Sequence, residues 1–250
     1  MKVAIRLQKE EIDLLINKYH IVFNNLSSNS LGLSVISRPN FSSLKKKYNE
    51  YEVLGREGKL YEFLGYEDNV IEVKFNFCEL NNINSKVRLI KKWLNNIENN
   101  KLSFSDDPLV FYKVKKVEYE NIERKLKIKG SFNLKFICEP YFYSFSSQEE
   151  IEIKNDETLI NDGDFISKPI IKIEGNGEVN LNINGKPIKL NIGQEIIINS
   201  ELELCYRESL KDMQNSQMSG DFPILDIGEN KISWDKNVKR LSIIPNYRYY

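Results

Sequence analysis

Apolar and polar residues alternate in short runs along most of this chain, and turn-forming residues separate the runs. Between Val70 and Phe77 every second residue is apolar, and the residues between them are mostly polar. Successive side chains of a β-strand point to opposite faces of the sheet, so this run predicts a strand with one buried face. Further strands are predicted in the first half of the chain at Ile21–Phe23, Leu33–Ser37, Tyr51–Leu54, Phe111–Tyr119, Lys125–Ile128 and Phe132–Cys138.

The residues between these runs predict turns. A polar segment at Glu120–Arg124 separates two runs and predicts a hairpin, and Pro140 is expected to end the strand that begins at Phe132. Gly55–Gly58 and Gly175–Gly177 are too short for phosphate-binding loops, and neither is predicted to lie between a strand and a helix. Both are therefore predicted to be tight turns.

In two segments the apolar residues recur with a helical period. Over residues 85–98 apolar residues recur every three or four positions and form one stripe, so an amphipathic helix is expected, with Ser85 as its N-cap and Trp93 in the core. Residues 3–18 predict a short amphipathic helix, and a strand over Val3–Leu7 is the alternative.

The second half of the chain is predicted to be entirely β. A serine-rich and acidic stretch near residues 144–152 marks a domain boundary, and Asn184-Gly185 between two alternating runs indicates a hairpin. Short strands at this spacing are typical of a sandwich of two antiparallel sheets. The predicted strands are Ile151–Ile153, Leu159–Ile160, Ile170–Glu174, Glu178–Ile183, Ile188–Leu190, Glu195–Ile198, Glu203–Arg207 and Arg240–Ile244.

Charge and hydropathy exclude several classes of protein. The 36 basic and 36 acidic side chains of the 250 residues cancel, whereas a free-standing nucleic-acid binder usually carries a basic surplus. The basic run Lys45–Lys47 is predicted to be a solvated loop. No apolar run is long enough to span a membrane, and charges throughout residues 1–20 argue against a signal peptide. A soluble protein made inside a cell is expected.

The reactive residue types do not form a recognisable site. Cys78, Cys138 and Cys205 lie far apart, so free thiols in a reducing cytoplasm are predicted, with no zinc site or disulfide framework. The single histidine, His20, is predicted to be a strand-edge or interface residue, because no motif supplies a nucleophile and an acid to work with it.

Acidic pairs are predicted to serve in turns. Asp106-Asp107 and the segment Asn161–Asp164, which contains Asp162 and Asp164, suggest paired carboxylates or a calcium loop, but the second lacks the EF-hand spacing. The sequence therefore predicts no catalytic, cofactor-binding or metal-binding residues and no cofactor.

Several short motifs in the first half, in this order, resemble the distal tail protein family of phages of Gram-positive bacteria, also called siphovirus-type tail components. They are Phe23-Asn24-Asn25, Leu31-Gly32-Leu33, Ser37-Arg38, Gly55–Gly58, Trp93-Leu94, Lys101-Leu102, Asp106-Asp107-Pro108 and Cys138–Tyr141. The end of the chain carries a more diagnostic match. Gly220–Leu225, Gly228–Ile232 and Trp234 are similar to the family signature GxFPxLxxGxNxIxW. The resemblance covers roughly residues 20–250.

The resemblance implies a mostly β protein with two domains. Residues 21–145 would form a belt domain, a β-sandwich with one helix, and residues 146–250 a galectin-like β-sandwich. Residues 1–20 are an extension that the family usually lacks.

The resemblance also implies a non-enzymatic structural role. Belt domains would pack into a homo-oligomeric ring, usually a hexamer, at the distal end of the tail tube in the virion tail tip or baseplate, assembled in the bacterial host cytoplasm. The implied partners are the tail tube protein, the tail hub and the tape measure protein, with receptor-binding or fibre proteins as further candidates. DNA would pass through the ring without sequence-specific recognition, and no membrane is involved.

Two other functions stay open as hypotheses. The second domain of a carbohydrate-binding adhesin would use a sugar platform of Trp234, Asn230 and Tyr247. A hydrolase acting on cell walls is the third hypothesis, against which the missing constellation of His, Glu or Cys residues argues.

Overall fold

The structure is a computed structural model that describes residues 19–40, 43–119, 122–126, 128–208 and 212–250. The chain divides into two compact units with their boundary between Phe142 and Tyr143. Strands dominate both units, and the described residues contain one α-helix, so the predicted mostly β fold class is confirmed. The predicted helix over residues 3–18, with its alternative strand, lies outside the described residues.

The first unit is built on one antiparallel sheet. Its strands follow the order β2-β1-β7-β8-β10-β6-β3, and β9 also pairs with β10. The strands are β1 (Ile21–Phe23), β2 (Leu26–Ser27), β3 (Leu33–Ser37), β4 (Lys46–Glu52), β5 (Lys59–Tyr66), β6 (Asn69–Cys78), β7 (Lys101–Phe104), β8 (Asp107–Tyr119), β9 (Glu123–Leu126) and β10 (Lys129–Ser144). Strands β4 and β5 form a separate two-stranded sheet.

The alternation between Val70 and Phe77 is confirmed as strand β6 with one buried face. Ile71, Val73, Phe75 and Phe77 are buried there. The strand pairs with β10, where Phe75 stacks on Phe132 with ring centroids 5.3 Å apart. The long strand β10 runs through Pro140, so the predicted end is wrong. Pairing with β6 stops at Cys138, so the missing N–H of Pro140 costs no hydrogen bond on that side.

Helix α1 (Ile83–Asn95) covers one face of this sheet and starts two residues before the predicted N-cap. The true N-cap is Asn82, whose side chain accepts a hydrogen bond from Ser85 N at 3.1 Å, and asparagine caps as well as serine does. Ile90, Trp93 and Leu94 are buried as the period predicts. The Trp93 indole donates to the Phe23 carbonyl at 2.9 Å, which fixes the helix on β1.

Two further predictions in the first unit are wrong in detail. Strand β9 pairs with β10 and not with β8, so the predicted hairpin between Phe111–Tyr119 and Lys125–Ile128 is absent from the described pairings. The run Lys45–Lys47 is exposed as predicted, but Lys46 and Lys47 lie in strand β4 and not in a loop.

The second unit is a curled antiparallel sheet with the order β11-β19-β13-β14-β15-β16, in which β18 pairs with β12 and β13 and β17 pairs with β14. Its strands are β11 (Ile151–Ile153), β12 (Glu157–Asn161), β13 (Ile170–Ile183), β14 (Lys186–Asn199), β15 (Leu204–Arg207), β16 (Asp212–Met213), β17 (Met218–Ser219), β18 (Gly228–Trp234) and β19 (Val238–Ile244). The short strand β20 (Arg248–Tyr249) is not part of this sheet and pairs with β10. Short 3₁₀-helices lie at Ser146–Gln148 and Asn215–Gln217.

Strands β13 and β14 each join two of the predicted strands, and in β13 the reason is that Gly175–Gly177 is not a turn. The segment continues β13, and a Cβ on Gly175 would lie 2.1 Å from the Asn237 carbonyl oxygen. The glycine therefore permits a close backbone approach and not a reversal of direction. Strand β13 pairs with β19 before this point and with β18 after it, so one long strand joins the two predicted sheets. The hairpin at Asn184-Gly185 is confirmed, with φ of 54° and 79°.

Candidate functional site

The histidine and the acidic residues that the sequence singled out for possible chemistry are divided between the two units. His20 lies next to β1, where its backbone N–H donates to the Ser105 hydroxyl at 2.9 Å and its carbonyl accepts from Ser105 N. Asp106 forms an ion pair with Arg38 at 3.5 Å in the first unit. Asp162 accepts from the Tyr249 hydroxyl at 2.8 Å and Asp164 from Tyr250 N at 3.0 Å, both in the second unit. The two acidic pairs therefore belong to different units.

The three cysteines are free thiols in different surroundings. Cys78 is exposed, and Cys138 and Cys205 are buried. Burial raises the pKa of the Cys138 thiol to about 12 and that of Cys205 to about 11, so both are protonated near neutral pH. Among the described residues, no group of His, Cys, Asp or Glu is arranged to hold a metal ion. No helix of the described part is long and apolar enough to cross a membrane.

The hypothetical sugar platform is not assembled. Asn230 is fully buried, and the Tyr247 hydroxyl donates inward to the Ile160 carbonyl at 2.7 Å. Trp234 is half-buried, and the Asn155 side chain bonds both its backbone N–H and its carbonyl. The three side chains hold the second unit together and do not form an exposed surface.

Hydrogen bonds from the Asn230 side chain fix the backbone of the diagnostic segment near the end of the chain. The Asn230 amide donates to the carbonyls of Asp226 and Gly228 at 2.8 and 2.9 Å, and its oxygen accepts from Asp226 N at 2.7 Å. The Asn184 side chain donates to the same oxygen at 2.7 Å, which ties this loop to the β13–β14 turn. A buried polar side chain with every group bonded fixes one local conformation.

The feature that the sequence analysis missed is the hairpin of β4 and β5. It pairs with neither large sheet, and nearly all of its residues are exposed. One face of the hairpin, called the aromatic face below, carries Tyr48, Tyr61 and Phe63. The ring centroid of Tyr48 lies 6.0 Å from that of Tyr61 and 5.9 Å from that of Phe63. At the base, Tyr66 contacts Tyr141 of β10 edge to face at 5.8 Å.

The second face of the hairpin combines polar bonds with exposed apolar groups. The Tyr51 hydroxyl and the Asn49 amide donate to Glu62, and these hydrogen bonds hold the pKa of the Glu62 carboxyl below its usual value. Across the tip, Gly55 and Gly58 have positive φ, as the tight-turn prediction requires. Leu54 at the tip is fully exposed. The usable signal in the sequence was the pair of Tyr-rich alternating runs on either side of these glycines.

Comparisons with known proteins agree with this architecture. Residues 25–138 match the phage tail protein RIFT-related domain. No curated protein sequence matches the chain. The chain is similar to the crystal structure of the Dit protein of phage SPP1, with a TM-score of 0.65 and 12% identity. The match covers 90% of this chain and 97% of the Dit chain. That protein is described as a paradigm of the hub adsorption apparatus in phages that infect Gram-positive bacteria.

A second solved structure is also similar. A chain of the phage P2 baseplate in its activated conformation with Ca covers 90% of this chain and 96% of its own, with a TM-score of 0.52 and 11% identity. At these identities the two structures show a shared fold. The resemblance to siphovirus-type tail components is confirmed by the match of residues 25–138 to the phage tail protein RIFT-related domain and by the fold shared with the SPP1 Dit protein.

Proposed function

We propose that the chain is a structural, non-enzymatic subunit that forms a closed ring at the distal end of a phage tail tube. The tail protein domain of residues 25–138 and the fold shared with the SPP1 Dit protein and with a phage P2 baseplate chain support this role. In the ring the chain joins the tube to the tail hub or baseplate, and DNA passes through the opening. The first unit acts as the belt domain, and the second unit acts as a galectin-like scaffold.

The observation that carries the proposal is the exposed hairpin of β4 and β5. A two-stranded hairpin is at best marginally stable alone in water, and this one leaves apolar side chains open on both faces. Tyr61 is 60% exposed and Phe63 is 51% exposed. Large exposed apolar groups that gather on one element mark a surface for another protein.

The exposed hairpin can serve as the contact of a ring. We propose that its aromatic face, which lies on an element outside the main sheet, contacts a different surface of the next copy. Such head-to-tail contacts produce a cyclic oligomer when the rotation closes. The closed ring removes the exposed aromatic groups from water, which stabilises the assembly through burial of apolar area.

The proposal is tested with the variant Tyr48→Thr, Tyr61→Thr and Phe63→Thr. Threonine keeps the preference for strands but removes the aromatic groups, so the units should fold and the ring should be lost. Light scattering after size-exclusion chromatography is expected to show a defined oligomer for the unaltered chain and a monomer of 29.3 kDa for the variant.

A matched control separates this effect from a general loss of surface hydrophobicity. The variant Leu109→Thr, Ile160→Thr and Ile227→Thr removes three apolar groups that are as exposed as those of the hairpin. It should keep the oligomer. An oligomer that survives in the hairpin variant, or an unaltered chain that stays monomeric even when added to tail particles lacking it, contradicts the proposed ring.

A further inference from the structure

Helix α1 presents a basic outer surface for which the described residues supply no counter-charge. The helix carries four cations, Lys86, Arg88, Lys91 and Lys92, and no carboxylate. In the part of the chain that the structure describes, no ion pair forms with any of them. On the solvent face of the main sheet, by contrast, Lys135 and Glu72 form an ion pair at 3.0 Å.

The helical period places these side chains on the crest of the helix. With 3.6 residues per turn, Arg88 and Lys92 point away from the buried Ile90 and Leu94. Lys91 lies on one flank of the crest and Leu89, 47% exposed, on the other. Lys86 folds back over Gly32. The surface of Arg88, Leu89, Lys91 and Lys92 is called the basic crest below.

The basic crest places like charges next to one another on the helix surface. Arg88 lies three residues before Lys91 and four before Lys92, and like charges at these spacings repel. The first turn holds no acidic residue that would interact favourably with the helix dipole. A solvated helix face usually mixes both signs of charge. A face of one sign is electrostatically complementary to carboxylates of another molecule.

The chemistry of the crest favours a protein over a nucleic acid. Arg88 and Lys92 are four residues apart, about 6 Å along the axis, so the crest can meet only one or two phosphates. The chain has no net charge to add to this attraction. Exposed Leu89 offers an apolar contact of the kind that protein interfaces combine with charged rims.

We propose that the basic crest docks an acidic surface of a second tail protein, one that supplies carboxylates to Arg88, Lys91 and Lys92 and an apolar side chain to Leu89. This inference rests on the proposed place of the chain in a tail. Complementary charge would speed docking and fix its orientation. The ring contact itself is assigned to the hairpin and does not use the crest.

The test is zero-length cross-linking of purified tail particles that contain the chain. A water-soluble carbodiimide joins a lysine amine directly to a carboxylate. We expect Lys91 or Lys92 to be linked to an Asp or Glu of a different tail protein, identified by mass spectrometry of the linked peptides. Both lysines should also be protected from amine acetylation in tails relative to the free chain.

Other outcomes overturn the inference. Lysines that stay unlinked and are acetylated in tails as in the free chain show an open crest. Links found only between copies of this chain, recognised with mixed isotope labels, show that the ring covers it. Binding of the free chain to duplex DNA that is lost in the variant Arg88→Glu, Lys91→Glu and Lys92→Glu shows a nucleic-acid site. If the chain is missing from tails altogether, the proposed function fails first.

Charge reversal gives a second measurement. The same triple variant should enter tails about tenfold less well than the unaltered chain, because like charges across an interface oppose docking. Its ring and its melting temperature should be unchanged. The control Lys231→Glu, Lys236→Glu and Lys239→Glu makes an equal charge change on exposed lysines of the second unit and should enter tails normally. Equal incorporation of both variants contradicts the inference.

Discussion

Asn230 illustrates how single side chains shape this protein. The sequence placed it in a signature motif and suggested a part in a sugar platform, yet it is fully buried and bonded on every side. A motif shows that a residue has a definite role but does not show which way its side chain points. That direction follows from the pairing of β18 with β13, which brings Asn184 from a distant part of the chain.

Replacing Asn230 with alanine tests this structural role. The change leaves backbone groups of the half-buried Asp226 and Gly228 without their partners, so the free energy of unfolding should fall by roughly 2–3 kcal/mol. Urea denaturation measures the loss. Asn191→Ala, which removes an exposed amide bonded to Gln217 at 3.0 Å, is the control and should cost under about 0.5 kcal/mol. Equal losses would show that Asn230 is not specially important.

At the scale of elements, the sequence pattern predicted those strands, helices and turns whose conformation is decided by neighbouring residues. Strand β6, helix α1 and the β13–β14 turn follow from alternation, a three-to-four period and an Asn-Gly pair. The errors arose where distant pairing decides. Gly175–Gly177 continues a strand because Asn237 approaches it, and β9 pairs with β10 because the sheet order places it there.

The close approach at Gly175 gives a test at this scale. Gly175→Ala would push a methyl group onto the Asn237 carbonyl, a backbone group that cannot move easily, so we expect a loss of about 1–3 kcal/mol of unfolding free energy. Gly193→Ala lies in the partner strand β14 and meets only the flexible end of Arg207. It should be nearly neutral in the same denaturation experiment. An unchanged free energy of unfolding in Gly175→Ala would show that the backbone near Gly175 can shift to accommodate the methyl group.

At the scale of the whole molecule, the net charge of zero argues against a large basic field, but it says nothing of how the charges are distributed over the surface. The cations of α1 have no ion pair among the described residues, whereas some other exposed charges are paired, as in Lys115 with Asp68 and Lys135 with Glu72. The candidate ring contact was not predicted, because an exposed hairpin looks like an ordinary pair of alternating runs until its lack of a packing partner is known. The fold class and the tail family were predictable because both depend on many positions at once.

The most direct test of the account is electron microscopy of tail particles in which the chain carries an epitope tag, decorated with a Fab fragment. The account predicts Fab density arranged with rotational symmetry around the tail axis, at the distal end of the tube only. Fab along the tube, at the head-proximal end or on a single side of the tip would contradict a distal ring.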